Sequence, residues 1–341
     1  MSVEPAYIPM DARPEWRDTK PVPQDDGPMP LVEIQYTEEF TDIHNYFRAV
    51  VKARETSRRA FNLTAEVISL NAANYSAWYW RRKCLEDMGD DGLLQEEQQF
   101  TREWATDSPK NYQVWFHRRW VVQQLFDKKL LTDPDEEFEF TAEALGEDAK
   151  NLNAWSHRMF VLRLFGRVDT VEGLEAELEF SADLLRTDIR NNSAWNHRFV
   201  VLQMLAKAEP DTLAERREAE IIFVMEALKL TPNNESPWNY ALAILFDYAP
   251  TDQQQIAGLV EQVRSFATKL VCDSHSTSLP PNRFALEFMG RCSWKYDRDH
   301  NTALSYYTSL ADTDRVRQGY WCHVMNKIRG EEKEATTATG V

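Results

Sequence analysis

Three cations stand at matching places in this chain: Lys110, Lys150 and Arg190 each come directly before an asparagine that opens a helical pattern. A helix start offers unpaired N–H groups and the positive end of the helix dipole, so a Lys or Arg beside it makes an anion site. If the helices stack in register, the three cations line one edge, and a diphosphate suits that edge in charge. The flanking copies carry Ala73 and Asn233 instead, and a lysine in a turn is more often simply solvated. His117, His157 and His197 recur at 40 residues, which is the repeat period and not a metal-ligand interval. The four cysteines, Cys84, Cys272, Cys292 and Cys322, form no CxxC pair, so a zinc site within the chain is not expected. With no nucleophile, glycine loop or paired carboxylates in evidence, the residues alone describe a binding or scaffold protein.

The elements that position these residues repeat. NYSAWYWRR starts at Asn74, NYQVWFHRR at Asn111, NLNAWSHRM at Asn151, NNSAWNHRF at Asn191 and NESPWNYAL at Asn234. Their Trp residues, 78, 115, 155, 195 and 238, lie 37, 40, 40 and 43 apart, a period that holds two helices and two turns. Each Asn is placed to cap a helix, and Pro109 and Pro232 end the helix before. Trp at +4 and Arg at +7 share one stripe, with Trp filling the seam and Arg pairing with acids of adjacent helices. Between the Trp helices lie amphipathic partners such as residues 170–185, with Val171, Leu174, Leu178, Ala182 and Leu185 at helical intervals. One hairpin cannot bury its face alone, so stacked neighbours supply the core. The fold class is all-α, an α-α superhelix of TPR-like helical hairpins in a crescent. The predicted organisation is an extended Pro-rich arm over 1–40, a repeat domain over 41–328 with weaker helices beyond the fifth copy, and a disordered tail over 329–341.

Acidic residues outnumber basic ones 55 to 39, a formal net charge of −16, which repels phosphate backbones and argues against nucleic-acid binding while leaving room for a local basic pocket. The amino terminus lacks a basic segment followed by an apolar run, and there is no apolar stretch of about 18 residues. A reduced, cytoplasmic protein without membrane insertion is expected.

The segments PVPQDDGP (21–28), YFRAV (46–50), LNAANYSAW (70–78), PKNYQVWFHRR (109–119), RNNSAWNHR (190–198) and NESPWNY (234–240), with Asp314, Arg317, Tyr320 and Trp321 near the end, resemble the α subunit shared by protein farnesyltransferase and type I protein geranylgeranyltransferase. The Trp repeats alone would also suit the α subunit of the Rab-directed enzyme; the Pro-rich arm and KNYQVW favour the CaaX enzymes. A non-catalytic helical scaffold is the reading from another class. The resemblance implies a heterodimer with an α-α barrel β subunit that holds the catalytic zinc, with magnesium accompanying the diphosphate. Its substrates are farnesyl or geranylgeranyl diphosphate and CaaX-terminated proteins such as small GTPases, and its product is a thioether at the CaaX cysteine. By the same resemblance Lys110 offsets charge on the leaving diphosphate and Tyr112 lies beside it. Gln113 hydrogen-bonds the substrate's terminal carboxylate, Tyr75 lines the peptide path, and Asn111, Lys150 and Asn151 border the substrates. Leu152 and Asn153 stand where animal members carry a tyrosine and a histidine.

Overall fold

The computed structural model of the chain describes residues 7–32, 34–248, 253–276 and 281–338. Fifteen α-helices and no strand occur among them. A first compact unit ends at Phe165 and contains α1 (Glu38–Ala53), α2 (Arg58–Leu70), α3 (Tyr75–Met88), α4 (Asp91–Asp107), α5 (Tyr112–Asp127), α6 (Asp135–Glu147) and α7 (Leu152–Leu164). A second begins at Gly166 and contains α8 (Val171–Thr187), α9 (Asn192–Ala208), α10 (Leu213–Leu230), α11 (Glu235–Phe246), α12 (Gln253–Ser276), α13 (Arg283–Arg291), α14 (His300–Thr313) and α15 (Gln318–Ala338).

Why every second helix opens with Asn and carries Trp four residues on is a matter of hydrogen-bond accounting. Asn74, Asn111, Asn151, Asn191 and Asn234 each cap a helix, the side-chain oxygen accepting from first-turn N–H groups. The Trp Nε1 of each repeat donates to the carbonyl six residues back: Trp78 to Ala72, Trp115 to Pro109, Trp155 to Ala149, Trp195 to Ile189 and Trp238 to Pro232, at 2.9–3.0 Å. In the first unit the Asn of the following repeat reaches back to the same oxygen. Asn111 Nδ2 donates to Ala72 O at 2.7 Å and Asn151 Nδ2 to Pro109 O at 2.9 Å. In the second unit Asn234 does so to Ile189 O and Asn282 to Pro232 O. A carbonyl has two lone pairs, and these four spend theirs on their own Trp and the next Asn. The two residues of the motif are therefore one device that buries a turn with its acceptor satisfied.

The structure adds a rung and revises both ends. Asn282 caps α13 through Phe284 and Ala285 N–H, making a sixth Asn-capped helix in which Leu286 takes the Trp position. Within residues 1–40, expected as an extended arm, Met10–Ala12 and Pro14–Trp16 form single 3-10 turns, and α1 already begins at Glu38 behind its cap Thr37. Met10 and Trp16 are buried, Trp16 packs edge-on against Tyr46, and Arg59 lies over its ring. Two apolar anchors are enough to fold the arm down locally; residues 1–6 lie outside the described ones. The tail expected to be disordered from 329 continues α15 as far as Ala338, since its Glu, Lys and Ala are good helix formers and extend an existing helix without a fresh nucleus. Residues 339–341 lie outside the described residues.

Candidate functional site: the turn before α5

Pro109, Lys110 and Asn111 form the turn that leads into α5. Lys110 extends into solvent, its side chain 73% exposed, and its Nζ pairs with Asp148 in the equivalent turn before α7. The other oxygen of Asp148 accepts the backbone N–H of Lys150 at 3.1 Å. The Lys110 ammonium, and after it the Lys150 amide, hold the Asp148 carboxyl below its ordinary range. Lys110 and Lys150 thus meet at one carboxylate, the first by its side chain and the second by its backbone. Arg190 belongs to the second unit, where its N–H donates to Asp188 in the same manner. Asp148 was not singled out in the sequence, although its place two residues before Lys150, matched by Asp188 before Arg190, was available as a signal.

Tyr75, Tyr112 and Leu152, the first residues of α3, α5 and α7, are all largely exposed. Asn111 and Asn151 have their amides committed to caps and to the carbonyls already described, so both act by fixing the turns. Tyr112 and Gln113 line a groove of about 380 Å³ between α5 and α7, together with Trp115, Phe116, Arg119, Asn153, Ser156 and His157. Tyr75, Lys110 and Lys150 lie outside that lining.

Beneath the surface runs a series of buried ions that locks one hairpin to the next. Arg81 holds Glu97 through Nε and Nη2 at 2.5 and 2.7 Å, and Arg118 holds Glu137 at 3.1 and 2.7 Å. In the second unit Arg198 holds Glu220 at 2.8 and 2.6 Å. The Nη1 of each Arg turns back to a carbonyl and hydroxyl of its own hairpin, as Arg118 does to Gln98 O and Thr101. Each Glu also receives the residue at +6 of a Trp helix: His117 on Glu97, His157 on Glu137, His197 on Glu177 and, replacing His, Tyr240 on Glu220. The pairing of Arg with acids follows the sequence pattern. The particular acids did not, although every one precedes its His or Tyr by 20 residues.

This ladder makes stability depend on pH. Burial lowers the imidazole values of His117 and His157 despite their carboxylate partners, which keeps both rings neutral. Burial alone would raise Glu137, but the Arg118 guanidinium, helped by His157 and Gln98, outweighs it and brings Glu137 down to about 2. All three bind fewer protons folded than unfolded, so stability falls as the pH drops. The histidine share goes first, below the ordinary value of 6.5, and the Glu137 share between 4.5 and about 2. Urea unfolding should show lower stability at pH 5.5 than at pH 7; equal stability at the two values would contradict the burial of both histidines as neutral rings.

The fold and site together define a helical-hairpin repeat protein whose turns present cations and exposed aromatic residues from a rigid, ion-paired interior. The chain belongs to the family of the protein prenyltransferase alpha subunit repeat, whose model matches residues 57–88, 94–125, 134–165, 174–205 and 217–247. The protein farnesyltransferase/geranylgeranyltransferase type-1 subunit alpha of Pisum sativum is 50% identical over 99 residues, 29% of this chain and 29% of that protein. The corresponding subunit of Schizosaccharomyces pombe is 37% identical over 97 residues, 28% of this chain and 32% of that one. These matched stretches thus span less than a third of either relative. Among solved structures, Candida albicans protein geranylgeranyltransferase-I complexed with GGPP superposes with a TM-score of 0.76 at 26% identity, covering 92% of this chain and 98% of that one.

Proposed function

We propose that the chain is the α subunit of a heterodimeric CaaX prenyltransferase, which moves a farnesyl or geranylgeranyl group from its diphosphate to the cysteine thiol of a carboxyl-terminal CaaX sequence. The observation that carries this reading is the Lys110 turn. In a chain of net charge −16, an exposed ammonium is fixed at a helix start beside Tyr112 and Gln113, with Tyr75 at the equivalent helix start one repeat earlier. As the allylic C–O bond breaks, negative charge grows on the departing diphosphate, and a preorganised cation there lowers the barrier. Asp148 holds the lysine extended until a more highly charged diphosphate displaces the carboxylate. Tyr112 lies beside the phosphates, Gln113 hydrogen-bonds the peptide carboxylate and Tyr75 lines the peptide path, while Asn111, Lys150 and Asn151 complete the border. Leu152 and Asn153 tune which peptides fit.

Among the described residues no group of three or more His, Cys, Asp or Glu could hold a metal, and His117 and His157 are spent on buried glutamates. The described residues thus do not fit a zinc ion, and the reading assigns zinc to the β subunit, with magnesium arriving with the diphosphate. No helix among the described residues is long and apolar enough to cross a membrane. The test is co-expression with a farnesyltransferase-type or a geranylgeranyltransferase-type β subunit and incubation of each heterodimer with a short CaaX peptide and its isoprenoid diphosphate. Mass spectrometry should find the thioether. Failure of both heterodimers to assemble or to prenylate the peptide, or a requirement for an escort protein, rejects the reading.

A further inference from the structure

The second unit holds a cavity of about 570 Å³ whose walls are the C-terminal end of α11, the start of α12 and the residues that close and follow α13. It lies at the far end of these helices from their Asn caps. α11 runs 12 residues from Asn234, about 18 Å, so a helix length separates the cavity from the kind of turn that carries Lys110. None of the residues assigned above to the substrates lines it.

Its charges are unbalanced. Arg291, Lys295 and Arg298 share the wall with Asp247, the one acid among the described lining residues. Lys295 is held by Glu331 at 3.0 Å, but neither Arg291 nor Arg298 makes an ion pair among the described residues. The backbone that presents them is irregular and fixed. Cys292–Tyr296 form a π-helical turn, a feature frequent at functional sites. Arg298 holds φ at 60°, a region rarely adopted by a residue with a long side chain. Asp297 N–H donates to Cys292 O at 3.0 Å and Asp299 N–H to Ser293 O at 2.9 Å, which lock this segment.

A buried donor stands in the same wall. Tyr248 is 4% exposed and lines the cavity, yet its hydroxyl has no hydrogen-bond partner among the described residues, a condition that native interiors rarely tolerate. The buried Arg217 lies 5.4 Å from the centre of the Tyr248 ring and adds its positive charge to the wall. A hydroxyl in such a field is suited to donate to an anionic oxygen. Leu245, Phe246 and Ile256 make up an apolar part of the lining.

We propose that this cavity binds a phosphate monoester carried on an apolar body, with the phosphate oxygens shared among the Arg291 and Arg298 guanidiniums and the Tyr248 hydroxyl. The body rests against Leu245, Phe246 and Ile256. Two guanidinium forks and a hydroxyl match a dianion with three free oxygens better than a carboxylate with two. The site is separate from the prenyl-transfer reading and does not depend on it.

Calorimetric titration of the full chain with phenyl phosphate tests the site, with benzoate and inorganic phosphate as comparisons. Phenyl phosphate should bind more tightly than either. Arg291→Gln combined with Arg298→Gln should weaken it roughly tenfold or more, as for loss of charged hydrogen-bond partners; both residues are exposed, so the fold survives the change. Tyr248→Phe should weaken it roughly threefold, the effect of one hydrogen bond, and Lys110→Ala should leave it unchanged. Absence of binding, equal affinity in the double arginine variant, or loss of binding in Lys110→Ala overturns the site. Equal affinity for benzoate overturns the phosphate as its ligand. Vesicles of phosphatidylcholine with phosphatidic acid present the same phosphate on a lipid; cosedimentation that needs the two arginines, without binding of phenyl phosphate, overturns a soluble ligand.

Discussion

Replacing Lys110 by alanine in the heterodimer should slow the prenyl-transfer step by roughly ten- to a thousandfold, the range for loss of one transition-state charge partner, while isoprenoid diphosphate binding stays near normal. The two effects separate because the ground-state diphosphate is already charged and contacted by other groups, whereas the charge that develops on bond breaking is new. Lys110 is exposed and, among the described residues, its side chain pairs only with Asp148, so its truncation leaves the core intact. Rapid-quench single-turnover measurement at saturating diphosphate reads the step directly. An unchanged rate would remove Lys110 from the site.

The second large effect is on stability. Glu137 is fully buried and holds Arg118 by two bonds, His157 by one and Gln98 by one. Glu137→Ala leaves the Arg118 guanidinium without its counter-ion and His157 without a partner on either nitrogen. Breaking a buried pair in this way costs about 3–5 kcal/mol, a large part of the roughly 5–15 kcal/mol that holds a domain together. Glu143, which pairs with Arg102 while 64% exposed, is the matched control and should change stability by less than about 1 kcal/mol. Urea midpoints of the two variants decide the matter: similar small shifts would mean that the interior ion pairs are solvated.

How much of this was readable in the residues differs from part to part. The Asn and Trp rungs were legible because capping and burial act within one helix, and local chemistry repeats visibly along the chain. The arginine and histidine stripe was legible as packing. Its glutamates were not, because Glu97, Glu137 and Glu177 sit among exposed acids on amphipathic helices and differ from them only in which way they face. The sixth rung at Asn282 escaped because Leu286 stands where Trp was the marker. The α15 extension has no apolar period to announce it, although propensity alone sustains a helix that is already nucleated. For the site, Lys110 with Tyr112 and Gln113 could be singled out, but the groove that His157 lines arises from how α5 packs beside α7, and no spacing rule encodes that.

The carbonyl of Pro109 has one further implication. It accepts from Trp115 inside its own repeat and from Asn151 in the next, with Asn153 also approaching at 3.4 Å, and it directly precedes Lys110. Lys110 is thus anchored from downstream: its backbone is held in place by the successor repeat as much as by its own. Array length and the geometry of the Lys110 turn are for that reason not independent inheritances. A duplication or excision of hairpins would have to conserve the junction after the second rung, and modular repeat growth is free to act only elsewhere along the chain.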